Sequence, residues 1–108
     1  MPFIDSYAAT APLLLEIQSL QGLVLLEFGA AWCGYCQIAQ PLIQRALNAH
    51  PEIHHIKLED GKGKSIGRAF DVKLWPTLVL LRDGAELGRQ TRPRDQRVVD
   101  MLLQQGER

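Results

Sequence analysis

Apolar and polar positions along the chain divide it into seven elements. Leu13, Leu14, Ile17 and Leu20 recur at helical spacing, which predicts a helix over residues 8–20 that Gln21-Gly22 ends. Residues 23–28 form an apolar run broken only by Glu27, the signature of a central strand covered on both faces. Residues 34–48 place Ile38, Leu42, Ile43, Ala46 and Leu47 on one stripe, which predicts an amphipathic helix kinked at Pro41. Residues 53–58 read as a strand, 59–63 as a loop and 64–70 as a short helix. Residues 77–82 and 85–90 flank Asp83-Gly84, a hairpin signal. Asp95 is placed to cap a last helix with Val98, Val99, Leu102 and Leu103 inward. A further strand at residues 3–6 is weakly indicated. The order is helix, strand, helix, strand, helix, hairpin, helix. The first two strands, joined through the long helix, should be parallel, and the hairpin adds antiparallel strands. The expected class is α/β, a mixed central β-sheet with helices on both faces.

A chain of 108 residues with 46% hydrophobic side chains makes one domain over residues 1–108 with an ordinary core. Twelve basic and twelve acidic side chains balance to zero, which argues against a nucleic-acid partner held by bulk charge. No apolar run approaches a membrane span, and the start has no basic region ahead of an apolar stretch. The expectation is a cytoplasmic monomer with no membrane partner.

The chemistry concentrates in Cys33-Gly34-Tyr35-Cys36, between the first confident strand and the long helix. Two thiols three positions apart on the first turn of a helix share a face and can form a disulfide without backbone movement. The electropositive helix end favours a thiolate. Cys33, at the entry, is the expected nucleophile, and Cys36, one turn in, the resolving thiol. There are no other cysteines, so no disulfide framework exists. Inert core cysteines are the plainer alternative. Cys33, Cys36, His50 and His54 also satisfy a zinc-finger spacing. However, a helix over 34–48 spans about 22 Å at ~1.5 Å per residue and carries His50 away from the thiols. The three histidines therefore read as surface residues. Gly61-Lys62-Gly63-Lys64-Ser65 has Leu58 where a phosphate-binding loop needs glycine, and reads as a solvated turn.

Glu27 in an apolar strand is costly unless paired or employed. It can accept a proton for Cys36, or it can pair with Lys57 on the neighbouring strand; both readings stand. Trp32 and Trp75 are the aromatic candidates beside the thiols, with Trp75 assignable to rim or core. Arg82, Arg89, Arg92, Arg94 and Arg97 gather positive charge toward the C-terminus, ordinary solvated arginines unless several meet at the groove and steer an acidic partner.

From about residue 22 to 105 the chain resembles thioredoxins. The resemblance rests on Phe28 leading into Trp32-Cys33-Gly34-Tyr35-Cys36, then Pro41, Lys57, Pro76-Thr77 and Asp83-Gly84. It implies a thioredoxin-like three-layer sandwich and a thiol–disulfide oxidoreductase acting on protein disulfides. It implies that Pro76 is cis, packs against the thiols and shields them from metal. Catalytic Cys33, Cys36, Glu27 and Lys57 follow, with Trp32, Gly34, Tyr35, Trp75, Pro76 and Arg92 lining the substrate groove. No cofactor or metal is implied beyond the redox-active pair, and an unidentified reductase restores the dithiol. A thioredoxin-like binding module with vestigial thiols and a structural zinc domain are the rival readings.

Five positions depart from the family pattern. Glu27 stands for the usual aspartate, and Tyr35 for the proline between the cysteines. The same Cys-Gly-Tyr-Cys occurs in periplasmic disulfide isomerases, whose overall chain differs. Gly29 stands for a tryptophan, Trp75 for a small aliphatic residue and Arg92 for a glycine. Tyr35 predicts an extra backbone N–H near the Cys33 sulfur, and the Gly29 and Trp75 changes together predict that the Trp75 indole fills the space left at Gly29.

Overall fold

A computed structural model of the chain describes residue 7 and residues 12–107. Four strands, β1 (Leu23–Gly29), β2 (His54–Glu59), β3 (Thr77–Arg82) and β4 (Ala85–Thr91), form one mixed sheet in the order β2-β1-β3-β4. β1 runs parallel to β2 and antiparallel to β3, and β3 pairs antiparallel with β4. Among the described residues four α-helices accompany the sheet, α1 (Leu14–Gln18), α2 (Gly34–Asn48), α3 (Ser65–Ala69) and α4 (Gln96–Gln104), and a 3-10 turn (Gln105–Glu107) follows α4. The α/β class is as read from the sequence.

Side-chain alternation along β1 divides the core. Val24, Leu26 and Phe28 face one layer, with Ile17 of α1 and Ile66 of α3. Leu25 faces the other, with Ile43 and Leu47 of α2 and Val99, Leu102 and Leu103 of α4. Glu27 and Gly29 therefore point toward α2, at the end of the sheet where α2 begins. The β1–β2 register sets Glu27 beside Lys57 and Leu25 beside His55.

The hairpin turns through Asp83 (φ 50°) and Gly84 (φ 83°), the paired left-handed conformations of a two-residue turn that matches strand twist. Gly84 is required twice over, because a Cβ there would lie 2.1 Å from the Gln18 carbonyl. Asp83 fastens the turn to β1 by accepting from Gly22 N–H at 2.6 Å. Asp95 caps α4 by accepting from Arg97 N–H at 2.7 Å.

The possible strand at residues 3–6 and the first residues of the expected first helix lie outside the described residues. Three expectations change. Among the described residues the first helix runs only over Leu14–Gln18, following Pro12. Ile38 is 57% exposed, and Cys36 and Ala39 take the inward positions with Ile43, Ala46 and Leu47. At 100° per residue Ile38 lies on the opposite side of α2 from Ile43 and Leu47, so the true stripe is rotated from the expected one. The histidines are not all at the surface: His55 is fully buried and His50 nearly so, while His54 is exposed.

Candidate active site

β1 ends at Gly29 and the chain turns through Ala30, Ala31 and Trp32 into α2, with Cys33 as its N-cap. The first-turn donors of a helix lack intrahelical partners, and here the Cys36 N–H fills that role by donating to Cys33 Sγ at 3.2 Å. The positive end of the helix dipole and this N–H both lie at the Cys33 sulfur. The donor on the Cys33 sulfur is thus the Cys36 amide, in place of the Tyr35 amide expected from the sequence.

Both cysteines are free and buried in a small cluster with Ala30 and Trp75, Cys33 7% and Cys36 2% exposed. The Cys36 thiol is pushed up to about 12, first by burial and then by its hydrogen bond with Cys33. Cys36 therefore holds its proton and needs help to lose it.

Behind Cys36 lies a buried polar network centred on Glu27, which is 0% exposed. Its Oε2 accepts from Gln40 Nε2 at 2.7 Å and from the Tyr7 hydroxyl at 3.2 Å. His55 Nε2 is 2.9 Å from Oε1, so Nε2 carries the hydrogen when the carboxylate is ionised. Lys57 Nζ is 3.9 Å from Oε2 and donates to Gln40 Oε1 at 2.8 Å. Gln40 also donates to the Cys36 carbonyl at 2.9 Å, tying the network to the first turn of α2. Every buried polar side-chain atom among the described residues has a partner. The Lys57 ammonium also lies 4.4 Å from the centroid of the Tyr7 ring.

Tyr7, Gln40 and His55 are members of this site that sequence reasoning missed. His55 had a usable signal: it alternates with Lys57 on β2 and so shares its face. Gln40 lies one turn after Cys36 on α2. Tyr7 carried none, because its place depends on long-range packing alone.

On the outer side, Trp32 is 73% exposed and packs edge to face against Trp75 at 5.4 Å between centroids. Trp75 Nε1 donates to Asp60 at 2.8 Å, which orients the indole. The Trp75–Pro76 peptide is cis, and Pro76 is buried. Gly34 is exposed, and a Cβ there would meet nothing within 4 Å. Arg92 Nε donates to the Trp75 carbonyl at 2.9 Å, and its guanidinium carbon lies 4.0 Å from the Tyr35 ring centroid, with that of Arg94 at 5.8 Å. Of the five C-terminal arginines, Arg92 and Arg94 reach this rim, whereas Arg89 pairs with Glu86 at 2.8 Å and Arg82 donates to the Gly106 carbonyl. Trp75 does not fill the space at Gly29. A Cβ at Gly29 would lie 2.6 Å from both Cys36 Sγ and the Tyr7 hydroxyl, so those two atoms occupy it.

A cleft of ≈ 410 Å³ opens beside the thiols, lined by Tyr7, Ala30, Cys36, Gln40, Lys57 and Glu59 among others. Of the zinc-spaced set, the two cysteines stand at the start of α2, and His50 follows its end, near Glu52 and Glu107. Among the described residues no three His, Cys, Asp or Glu side chains are grouped to hold a metal ion. Nor is any helix among them long and apolar enough to cross a membrane.

A sequence-family model described as Thioredoxin matches residues 11–105. Thioredoxin-3 of Saccharomyces cerevisiae mitochondria is 30% identical over 66 residues, 61% of this chain and 52% of that protein. The thioredoxin of Chlamydia muridarum is 34% identical over 74 residues, 68% of this chain and 72% of that protein. The chain thus spans about half the length of the first curated relatives it matches. The reduced form of thioredoxin 2 from Pseudomonas aeruginosa superposes with a TM-score of 0.86 and 45% identity over 96% of each chain.

Proposed function

The chain belongs to the thioredoxin family, and from that membership we propose that it is a thiol–disulfide oxidoreductase acting on protein disulfides through Cys33 and Cys36. One observation carries the division of labour: the Cys36 amide donates to Cys33 Sγ, while the Cys36 thiol is buried against the Tyr7–Glu27 network and is raised by that burial. The Cys33 thiolate attacks a substrate sulfur, forming a mixed disulfide and expelling one substrate thiolate. Cys36 then loses its proton and attacks Cys33 Sγ. The bond to the substrate breaks, the second substrate thiolate leaves, and a Cys33–Cys36 disulfide remains. Two electrons pass from the protein to the substrate, and a reductase must return them.

Glu27 is the proton acceptor for Cys36 in this reading, and Lys57 and His55 hold its carboxylate in place and tune it. Lys57 also pairs with Glu27 at 3.9 Å, so the ion pair and the role as base go together in this reading. Trp32, Gly34, Tyr35, Trp75, Pro76 and Arg92 form the groove for the substrate chain. The exchange itself needs no added cofactor. A cytoplasmic location, where thiols are kept reduced, and action as a monomer belong to the same reading.

The test is turnover of insulin disulfides with a chemical reductant. The parent protein is expected to accelerate reduction, Cys33→Ser to abolish it, and Cys36→Ser to accumulate mixed disulfides that Cys33→Ser does not form. Equal activity of parent and Cys33→Ser overturns the reading and leaves a binding module.

A further inference from the structure

Glu27 is assigned as the base for Cys36, yet another group stands between them. The Tyr7 hydroxyl donates to Glu27 Oε2 at 3.2 Å and interacts with the Cys36 thiol, which it lowers. It and Cys36 Sγ converge on the space beside Gly29, each 2.6 Å from the point where a side chain would begin. We propose that the Tyr7 hydroxyl is the proton relay between the Cys36 thiol and the Glu27 carboxylate, in a path that the missing side chain at Gly29 leaves open. This rests on the reading of Glu27 as the base.

The hydrogen-bond polarity fits the mixed-disulfide state. In the reduced protein the Cys36 S–H donates to Cys33, which raises the thiol, and Tyr7 faces the Cys36 sulfur as a donor, which lowers it. A phenol has one hydrogen to donate and lone pairs to accept with. Once Cys33 is bonded to the substrate, the S–H is released from it and turns to the Tyr7 oxygen, while the phenol hydrogen goes to Glu27. During resolution the Cys36 proton passes to the Tyr7 oxygen as the Tyr7 proton passes to Glu27 Oε2. Tyr7 ends as it began, Glu27 is neutral and Cys36 is a thiolate. That thiolate attacks Cys33 Sγ, the Cys33–substrate bond breaks, and the substrate thiolate carries off the electron pair. In the reverse direction Glu27 returns the proton along the same path.

The surroundings favour a conductor over a store. Burial first, then the Glu27 charge and Cys36, raise the phenol above its ordinary range, so it gives up one proton only as it receives another. The Lys57 ammonium over the ring, at 4.4 Å, holds the ring in place, and the bond to Glu27 orients the hydroxyl. The groups facing the path are Glu27, His55, Lys57, Cys33 and Cys36, with Glu59 across the cleft that Tyr7 also lines. That cleft gives Tyr7 an edge toward solvent that the fully enclosed Glu27 lacks, and so offers the proton an exit.

Reaction of the reduced protein with a chromogenic aryl disulfide separates the steps, because Cys33 attack releases the first aryl thiolate and Cys36 resolution the second. Tyr7→Phe keeps the ring on Lys57 and removes only the hydroxyl. It is expected to slow the second release about tenfold or more while leaving the first within about twofold, since general-base assistance is lost from one step only. The variant's second release should also become hydroxide-dependent, rising with pH where the parent is flat, a change that loosened packing alone does not produce. Glu27→Gln run in parallel should slow the second release too, and the double variant should be no slower than the slower single one.

If Glu27→Gln slows resolution and Tyr7→Phe leaves it unchanged, the relay is wrong and the acid reading survives. If neither variant changes it, both fail. Equal slowing of both releases by Tyr7→Phe makes the ring a packing element and overturns the relay. Should Tyr7→Phe not fold, as judged by thermal unfolding, Gly29→Ala replaces it: the added methyl forces the hydroxyl and the sulfur apart with Tyr7 intact. An unchanged second release in Gly29→Ala overturns the proposal.

Discussion

Cys33 and Cys36 differ by one helical turn, and in the proposed exchange that offset separates the attacking sulfur from the protected one. Cys36 is held near 12 against an ordinary value of 9.0. Limiting iodoacetamide at neutral pH should therefore label Cys33 first, as peptide mapping will read out; preferential label on Cys36 reverses the assignment. The same shift has a stability consequence. The folded state keeps the Cys36 proton after the unfolded chain has lost it, so stability is full below about pH 9 and falls as pH rises through about 12. Burial of the Tyr7 phenol acts in the same direction. In the oxidised protein Cys36 has no proton to lose. The gap between oxidised and reduced unfolding midpoints should therefore widen between pH 9 and 12. A constant gap contradicts the protected thiol. At this scale the thiols, Glu27 and Lys57 were legible as residue types in place. Tyr7 was not, because a tyrosine distant in sequence reaches the site only through packing that no local pattern encodes.

Elements were more legible than the faces they present. The bounds of α2 follow from its Gly34 start and apolar content, and the hairpin follows from Asp83-Gly84, a pair whose left-handed preference dictates the turn. The inward stripe of α2 was misplaced because several apolar residues gave two overlapping stripes, and only contact with the sheet selects between them. Ile43, fully buried against Leu25, Leu78 and α4, should cost about 2–5 kcal/mol when cut to alanine. Ile38→Lys, on the exposed side, should change stability by no more than about 0.5 kcal/mol. Denaturant midpoints of the two variants check this, and a large loss in Ile38→Lys would return that residue to the core. The buried histidine was misread for a related reason: His54-His55 looks polar as a pair, but strand alternation sends one outward and the other to Glu27.

Across the whole molecule, zero net charge hides a local arrangement at the mouth of the site. Arg92 and Arg94 lie over Tyr35, beside Trp32 and Trp75, while Asp60 is engaged by the Trp75 indole. A rim of two guanidinium groups and three aromatic rings suits a substrate whose disulfide is flanked by acidic residues, and such steering weakens with salt. Arg92 separates this role from folding. It adopts φ 52°, a conformation that costs a side-chain-bearing residue about 1 kcal/mol and glycine almost nothing. Its backbone N–H donates to the Pro76 carbonyl at 2.8 Å, a bond that any residue there keeps. Arg92→Gly thus relieves backbone strain, loosens the unfolded chain and removes the hydrogen bond to the Trp75 carbonyl. These opposing effects should leave stability within about 1 kcal/mol. Activity should divide by substrate. Reduction of a peptide disulfide flanked by aspartates should slow in the variant and lose its salt dependence, while a lysine-flanked peptide of the same length should react as fast as before or faster. If both peptides respond alike, the guanidinium serves only to hold the Trp75 loop, and the rim does not select by charge.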